Sequence, residues 1–584
     1  MCGISGVFSK NPLTEDQINK GKKILNTLNH RGPDNKNYLI NKKKNLFFGH
    51  NRLSIIYPHK EGNQPLTEDK NQIIFNGEIY NYKYLGQKYF NKKISDNYSD
   101  TEILLKSCIK WKENFYEYID GMYAFGIYDG NYLKLVTDYF GEKPIYYFLE
   151  EEVLYFSSEI KPLLKVKKFP ELEAVNLDIF LKNGFLPNGL TPFKNIFKVK
   201  SNSILKINND LRVSEQRLYK IEKGDQRNFL ENDFEDFSNI MIEAVKSRLV
   251  SDTSISLLLS SGSDSSLIAA ISKKELNYDL LTISLKNDKP DEIDLIKGIT
   301  NNLNLENLVI ENNHINESIL DNCALTLNDN IEAFGIDNLT SILKSKNNKV
   351  TLSGLGADEI FYGYNKYEIA LKYINPSFFK KISYFIKSKL KKNFYNKNFD
   401  PYKFLNQNNY QRFNYLKNQM EFKDYGNTKN IDDVDFSMKK DFLFNLRNFD
   451  LFQTLPYSFL PSSDFASMSN SVELRSPYLN LNLLKFINKF DQKALLKKPR
   501  KFFIKKLLST YLPEKLINKK KIGFRFDNSN FEKINKLNKI NFKYNNTFTE
   551  IQPYVKSNKN NFFNRLVILN KLYNFYDENL SCQQ

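Results

Sequence analysis

The chain has 584 residues, 41% of them hydrophobic and 26% charged, a balance that supports large buried cores and a length that allows two to four domains. The net charge of +18 comes from lysines spread beside abundant Asn, Ile, Phe and Tyr, which reads as compositional bias and not as a nucleic-acid surface; the densest basic stretch, 379–392, has the apolar spacing of a solvated helix face. No apolar run approaches the roughly 20 residues that span a bilayer, the start lacks a leader's apolar stretch, and four Cys and four His without paired spacing exclude a disulfide framework or zinc cluster and fit a reducing cytoplasm.

The chain opens Met-Cys-Gly-Ile-Ser-Gly-Val-Phe. Removal of Met1, which a small second side chain permits, would leave Cys2 with both a thiol and a free α-amine. Such an amine titrates near about 7.7–8.0, so it can take the proton of its own thiol with no distant base. Residues 1–210 read as short strands separated by turns. Ile73-Ile74-Phe75 runs into Asn76-Gly77, a favoured hairpin dipeptide, before Ile79-Tyr80. Further strands are predicted at 123–128 and 145–148, and the polar stretch 215–232 reads as a linker.

Beyond it, Phe234, Phe237, Met241, Ala244, Val245 and Arg248 trace a helical period. The apolar run 255–259, a small polar loop and 267–271 then read as strand, loop and helix, the start of a parallel α/β unit. Strands are predicted at 281–285 and 350–352. The Lys-, Phe-, Tyr- and Asn-rich stretch 365–440 is predicted helical, and the rest alternates helices with loops. No internal repeat is present.

Seven fragments follow Cys2 in order. They are His30-Arg31-Gly32-Pro33-Asp34, His50-Asn51-Arg52-Leu53-Ser54-Ile55, Asn76-Gly77-Glu78-Ile79-Tyr80-Asn81 and Ser99-Asp100-Thr101-Glu102, then Gly121-Met122-Tyr123-Ala124-Phe125, Asp138-Tyr139-Phe140-Gly141-Glu142-Lys143-Pro144 and Ser157-Ser158-Glu159-Ile160-Lys161. Together they resemble the glutamine-hydrolysing domain of class II amidotransferases, in the asparagine synthetase branch. The resemblance implies an α+β N-terminal-nucleophile sandwich over 1–210. In it Cys2 attacks the side-chain amide of glutamine, forming a thioester and releasing ammonia. Asn76 and the Gly77 amide would stabilise the oxyanion, each by about 3 kcal/mol. Arg52, with Leu53 beside it, would grip the glutamine carboxylate through its bidentate fork, and Asp100 with Glu78 nearby would hold the ammonium. Thr137 stands where the family commonly has Arg.

In the second half, Leu259-Ser260-Ser261-Gly262-Ser263-Asp264-Ser265-Ser266 resembles the pyrophosphate-binding loop of the ATP pyrophosphatase superfamily. Small residues let backbone amides approach phosphate, and a helix N-terminus favours its charge. Ser261 replaces the usual first Gly of that loop. Leu352-Ser353-Gly354-Leu355-Gly356-Ala357-Asp358-Glu359 resembles the family's second nucleotide motif, and Asp464-Phe465-Ala466-Ser467-Met468 with Glu473-Leu474-Arg475-Ser476-Pro477 its distal signature. By motif order Lys501 matches the family's catalytic lysine, followed by Leu512-Pro513-Glu514 and Lys521-Ile522-Gly523-Phe524. The resemblance implies an α/β parallel-sheet ATP-binding domain with extra helices over 228–584. Leu259, Ser260, Gly262, Asp264, Ser265, Ser266, Ile283, Ser353 and Gly354 would bind ATP, and Asp264 and Asp358 would hold Mg2+.

Asparagine synthetases generally carry Glu where this chain has Leu355, a residue that can neither transfer a proton nor pair with charge. The expected activity is an ATP-dependent carbon–nitrogen ligase that amidates an adenylated aspartate with ammonia from glutamine. One alternative acceptor is another carboxylate, such as a uronic acid of a surface glycan. The other reading is a scaffold that kept the fold and lost the chemistry, motivated by Leu355 and Ser261. No nucleic acid and no membrane are expected as partners, and a homodimer is a family expectation.

Overall fold

A computed structural model describes residues 2–93, 96–220, 224–286, 290–311, 316–330, 332–373, 380–381, 412, 442–496, 498–517 and 561–581. Nearly all of the stretch read as helical beyond 373, the basic run 379–392 apart from 380 and 381, and the Lys521-Ile522-Gly523-Phe524 segment lie outside these residues.

The first domain is built on two six-stranded antiparallel sheets. One runs Ile196–Lys198, Tyr146–Glu150, Val153–Ser157, Gly3–Ser9, Leu46–Arg52, Asn35–Ile40. The other runs Val213–Arg217, Ser203–Asn208, Tyr132–Thr137, Gly121–Tyr128, Asn71–Ile79, Leu66–Glu68. Ile4, Phe8, Phe48 and Phe156 of one sheet meet Ile74, Ala124, Leu135 and Leu205 of the other in a single apolar core. Side chains alternate along a strand, so the outer faces need cover as well. Val7 and Phe47 pack with Ile24 and Leu25 of helix Glu15–Thr27, while Ile73 and Phe75 pack with Ile103 and Leu104 of helix Asp100–Trp111. Cover on both faces explains why Gly3–Ser9 is buried at every position and shows no polar alternation.

Two sequence expectations are revised here. Asn76-Gly77 is not a hairpin turn: it lies inside the continuous strand Asn71–Ile79, paired residue for residue with Gly121–Tyr128. Eight consecutive cross-strand partners outweigh the turn preference of one dipeptide. The stretch 215–232 is not all linker either, because Val213–Arg217 pairs with Ser203–Asn208 and closes the second sheet.

The second domain centres on a five-stranded sheet in the order Asn307–Glu311, Leu281–Lys286, Ile255–Leu258, Val350–Leu352, Glu473–Arg475, every pair parallel. The predicted helix at 234–249 forms as Asp233–Arg248, with Phe237, Met241, Ala244 and Val245 buried. The polar loop after Ile255–Leu258 feeds helix Ser263–Lys274, whose Leu267-Ile268-Ala269-Ala270-Ile271 run is wholly buried. Strand Ile255–Leu258 pairs with later strands on both sides, so the connections leave it in opposite directions. That opens a crevice at its carboxyl end, where such sheets bind ligands. Apolar packing is continuous across the two domains, from Ile73 and Phe125 to Leu267 and Phe503. No helix among the described residues is long and apolar enough to cross a membrane.

Candidate active site

The first candidate site forms where the two facing sheets meet at Cys2. Gly3 pairs with Asn51, so Cys2 comes opposite Arg52 at the sheet end. In the facing strand the alternation that sends Ile73 and Phe75 outward turns Ile74, Asn76 and Glu78 inward. The Cys2 backbone nitrogen donates to Asn76 Oδ1 at 2.9 Å. This fixes the carboxamide and leaves its Nδ2 buried without a hydrogen-bond partner. Such an orphaned donor costs about 1–3 kcal/mol, which an acceptor delivered by a ligand would recover. If Met1 is removed, the nitrogen in this position is the α-amine, held by the same oxygen.

Burial raises the Cys2 thiol, against the amino-terminal charge, the Leu53 backbone amide and Arg52, which lower it. The thiol is therefore protonated at neutral pH and needs a base at hand. Gly77 has φ of 149°, and a Cβ there would lie 2.0 Å from the Met122 carbonyl oxygen. Only glycine keeps this strand in register beside Cys2.

Two buried carboxyls complete the pocket. Glu78 has Oε1 at 3.4 Å from Arg475 Nη2, and its Oε2 is buried without a hydrogen bond. Burial, then Glu473, push it well above the usual carboxylate range, with Arg475 opposing. Asp100 Oδ2 accepts from the Ile79 amide at 3.1 Å and Oδ1 from the Thr101 amide at 2.8 Å, yet burial still pushes it up to about 6. A pocket with two such carboxyls favours a cationic ligand.

Arg52 stands beside Cys2 as expected, but its fork is committed elsewhere. Nη1 donates to the His59 carbonyl and to Asn63 Oδ1, both at 2.8 Å, and Nη2 to the carbonyls of Ile56 and Tyr57 at 3.3 and 2.6 Å. Loop carbonyls need donors, and here one guanidinium supplies them. In this arrangement the fork clasps the loop 56–63.

The second candidate site lies at the carboxyl ends of the parallel strands. Gly262 caps helix Ser263–Lys274, and its amide donates to Ser260 Oγ at 3.3 Å, while Ser265 Oγ accepts from the Ser260 amide at 3.1 Å and Ser266 Oγ donates to the Gly262 carbonyl at 2.8 Å. These bonds draw the loop into a tight turn around the helix start. The Ser261 hydroxyl turns out of it and donates to Glu292 at 3.2 Å, so the missing glycine leaves the turn intact. The Leu259 amide donates to the Ile283 carbonyl at 2.9 Å, joining those two expected positions. Gly354 lies against the loop, where a Cβ would be 3.0 Å from Asp264 Cβ, and Ser353 Oγ is buried without a partner.

Lys501 comes to this place from 237 residues downstream of Asp264. Its Nζ lies 2.6 Å from Asp264 Oδ2 and 2.5 Å from Asp358 Oδ1, and the residue is 8% exposed. Two carboxylates that already converge on one cationic group beside a helix N-terminus fit a magnesium ion on a nucleotide's phosphates. No cluster of three or more His, Cys, Asp or Glu that could hold a metal occurs among the described residues. Magnesium does not require one, since phosphate oxygens and water complete its shell.

The sites are connected by residues that the sequence offered only as motif letters. Arg31 is fully buried and donates from Nε to the Cys2 carbonyl at 3.1 Å, from Nη1 to Glu159 at 3.0 Å and from Nη2 to Asp464 at 2.8 Å. Arg475 holds Glu473 at 2.6 Å and the carbonyls of Arg248 and Val250, with Nη2 directed to Glu78. Their presence in the quoted motifs was the available signal; partners 433 residues apart in the chain were not.

A glutamine amidotransferase domain model matches residues 1–219, and an asparagine synthase model matches residues 236–572. Glutamine-hydrolyzing asparagine synthetase 1 of Bacillus subtilis (strain 168) is 29% identical over 553 residues, covering 90% of this chain and 87% of that protein. A putative glutamine-hydrolyzing asparagine synthetase 2 of Methanocaldococcus jannaschii is 31% identical over 404 residues, covering 62% of this chain and 76% of that one. Amidase chry2 of Gibberella zeae is 28% identical over 289 residues, covering 46% and 42%.

Proposed function

The chain belongs to the asparagine synthase family of ATP-dependent, glutamine-hydrolysing ligases, and on that premise we propose that it amidates aspartate with ammonia released at Cys2. The domains that divide this work are 1–210 and 228–584. The Cys2 α-amine takes the thiol proton, and Sγ adds to the glutamine amide carbon. The resulting oxyanion accepts hydrogen bonds from Asn76 Nδ2 and the Gly77 amide; its collapse expels ammonia and leaves a thioester that water hydrolyses to glutamate. Asp100 and Glu78 hold the glutamine ammonium, Leu53 steadies the thiol through its amide, and Arg52 fixes the loop over the substrate.

At the second site ATP lies along Leu259, Ser260, Gly262, Ser265, Ser266, Ile283, Ser353 and Gly354. Asp264 and Asp358 would hold a magnesium ion, which when bound would offset the charge of the departing pyrophosphate. Lys501 supplies positive charge to the same group. The acceptor carboxylate becomes an acyl-adenylate, and ammonia displaces AMP from it.

One observation carries this reading: the Asn76 carboxamide is anchored on the Cys2 nitrogen through Oδ1, with Nδ2 buried and unpaired. Aspartate as acceptor is supported by the names of the relatives. Leu355 favours a second reading, in which a different carboxylate, such as a sugar acid, is amidated by the same steps. The test is pyrophosphate release from ATP and magnesium with glutamine, with and without aspartate. Aspartate-dependent pyrophosphate matched by asparagine is expected, with Cys2→Ala abolishing the glutamine-dependent reaction and sparing the ammonia-dependent one. Glutamate release without aspartate-dependent pyrophosphate would transfer the reading to another acceptor. Neither activity would mark a scaffold.

A further inference from the structure

A narrow cavity between the two candidate sites takes its walls from both domains: Glu142 and Lys143 from the first, Ser353, Leu355, Asp464 and Arg475 from the second. Ser353 belongs to the nucleotide loop, and Asp464 is tied through Arg31 to the Cys2 carbonyl. On the reading above, from which this inference proceeds, the cavity is where ammonia meets the activated acceptor.

Attack on an acyl carbon makes the ammonia nitrogen positive, so one proton must leave as the amide forms. A group lining the cavity has to take it. Leu355 cannot, the Lys143 Nζ donates to the Leu474 carbonyl at 3.5 Å, and the Arg475 guanidinium is held charged by Glu473 and Glu78. Asp464 accepts from Arg31 at 2.8 Å through Oδ2, and its Oδ1, buried without a hydrogen bond, lies 3.6 Å from Lys143, so a proton placed there would cost the charge that both cations pair with. Glu142 is different. It is buried, and among the described residues its carboxyl makes no hydrogen bond or ion pair. Its backbone is firmly held, because Asp138 Oδ1 accepts the amides of Phe140 and Glu142, both at 3.0 Å, and Oδ2 those of Tyr123 and Lys143, both at 3.2 Å. A buried, unengaged carboxyl on fixed backbone is what a positioned proton acceptor requires.

We propose that Glu142, supplied by the glutaminase domain, accepts the proton of the attacking ammonia in a cavity where the synthetase loop offers Leu355 and the Ser353 hydroxyl but no carboxylate. The step balances. The ammonia nitrogen bonds to the acyl carbon, the bond from that carbon to the AMP oxygen breaks, AMP leaves with the electron pair, and the proton passes to the Glu142 carboxylate. Burial, then Asp138, push Glu142 up to about 8, while Lys143 and Arg248 lower it and Asp120 adds to the rise. Asp464 and Arg475 are the other charged groups facing the cavity. Only the ionised carboxyl accepts a proton, so transfer improves as pH rises through 8.

The experiment compares the full-length protein with Glu142→Gln, Glu142→Asp and Glu142→Gln combined with Leu355→Glu. It reads acceptor-dependent ATP–pyrophosphate exchange, glutamate released and amide formed from glutamine. Expected for Glu142→Gln is persistent exchange, with amide per glutamate reduced at least tenfold and no longer rising between pH 6.5 and 9. Glu142→Asp and the double variant should regain part of the yield. Unchanged amide yield with an unchanged pH profile overturns the proposal. So does loss of exchange together with amidation, which is the mark of a structural role. If the wild type shows no exchange with any carboxylate, the functional reading fails first and this proposal with it.

Discussion

Asp100 begins helix Asp100–Trp111, with its carboxyl bonded back to the Ile79 amide and forward to the Thr101 amide. Burial pushes it up to about 6 even so, and burial with Glu473 raises Glu78 beside it well above the usual carboxylate range. Only the ionised form can pair with a glutamine ammonium. The proton must leave before the ligand is held, so capture weakens as pH falls below about 6. Asp100 should therefore contribute about a tenfold rise in kcat/KM for glutamine hydrolysis between pH 5 and 7, on top of the rise that the Cys2 α-amine gives as it loses its own proton. Asp100→Asn should raise KM far more than it lowers kcat and should remove that tenfold part of the rise. The same pH profile in Asp100→Asn as in wild type would remove Asp100 from substrate binding. These residue types were legible from the sequence because each acts through chemistry local to its motif: a second-position thiol, a carboxamide, a carboxylate at a helix start. Arg52 was legible in position only, since nothing in its motif foretold that the loop 56–63 would take all four of its Nη bonds.

Among the elements, strand Asn71–Ile79 does the most to build the first site. Its alternation sends Ile73 and Phe75 to the helix and Asn76 to Cys2, and its register against Gly121–Tyr128 fixes how far Asn76 reaches. At Gly77 the strand leaves no room for a side chain against its neighbour's backbone. Gly77→Ala would drive a methyl to 2.0 Å from the Met122 carbonyl, which is backbone and cannot swing aside. The strand must then slip or bow, carrying Asn76 and the Gly77 amide away from the oxyanion position. The expected outcome is at least a hundredfold loss of glutaminase kcat, of the order seen when an oxyanion donor is removed. Ammonia-dependent amidation should survive in whatever protein folds. Wild-type glutaminase in Gly77→Ala would show that the close approach has no catalytic consequence. The strand, loop and helix after 255 were readable because a buried parallel strand and its following helix are continuous apolar runs. The hairpin reading of Asn76-Gly77 failed because a turn dipeptide reports local preference, while the partner strand lies more than forty residues on.

At the scale of the molecule, Arg31 and Arg475 make two catalytic centres into one object. Neither pairing could be read from the sequence, since Arg31 and Asp464 are 433 residues apart and only the fold brings them together. Arg31 has no exposed side chain, and both its carboxylate partners are almost fully buried, at 6% and 3%. Removing one member of such a group leaves a buried charge without its counterion, a loss of about 3–5 kcal/mol. In Arg31→Met, Glu159 would keep His30 at 2.8 Å and Asp464 would keep Lys143 only at 3.6 Å, so both carboxylates lose their close guanidinium. Arg31→Met should lower the unfolding midpoint, and adding Asp464→Asn should restore part of it, because the second change removes one of the stranded charges. Function should respond differently. Arg31 also holds the Cys2 carbonyl, and Asp464 lines the cavity on the far side, so neither variant recovers the link between the sites. Glutamate released per amide formed should stay high in the double variant even as stability returns. Recovery of both together would mean that the bridge only stabilises the interface, and that ammonia finds the second site without it.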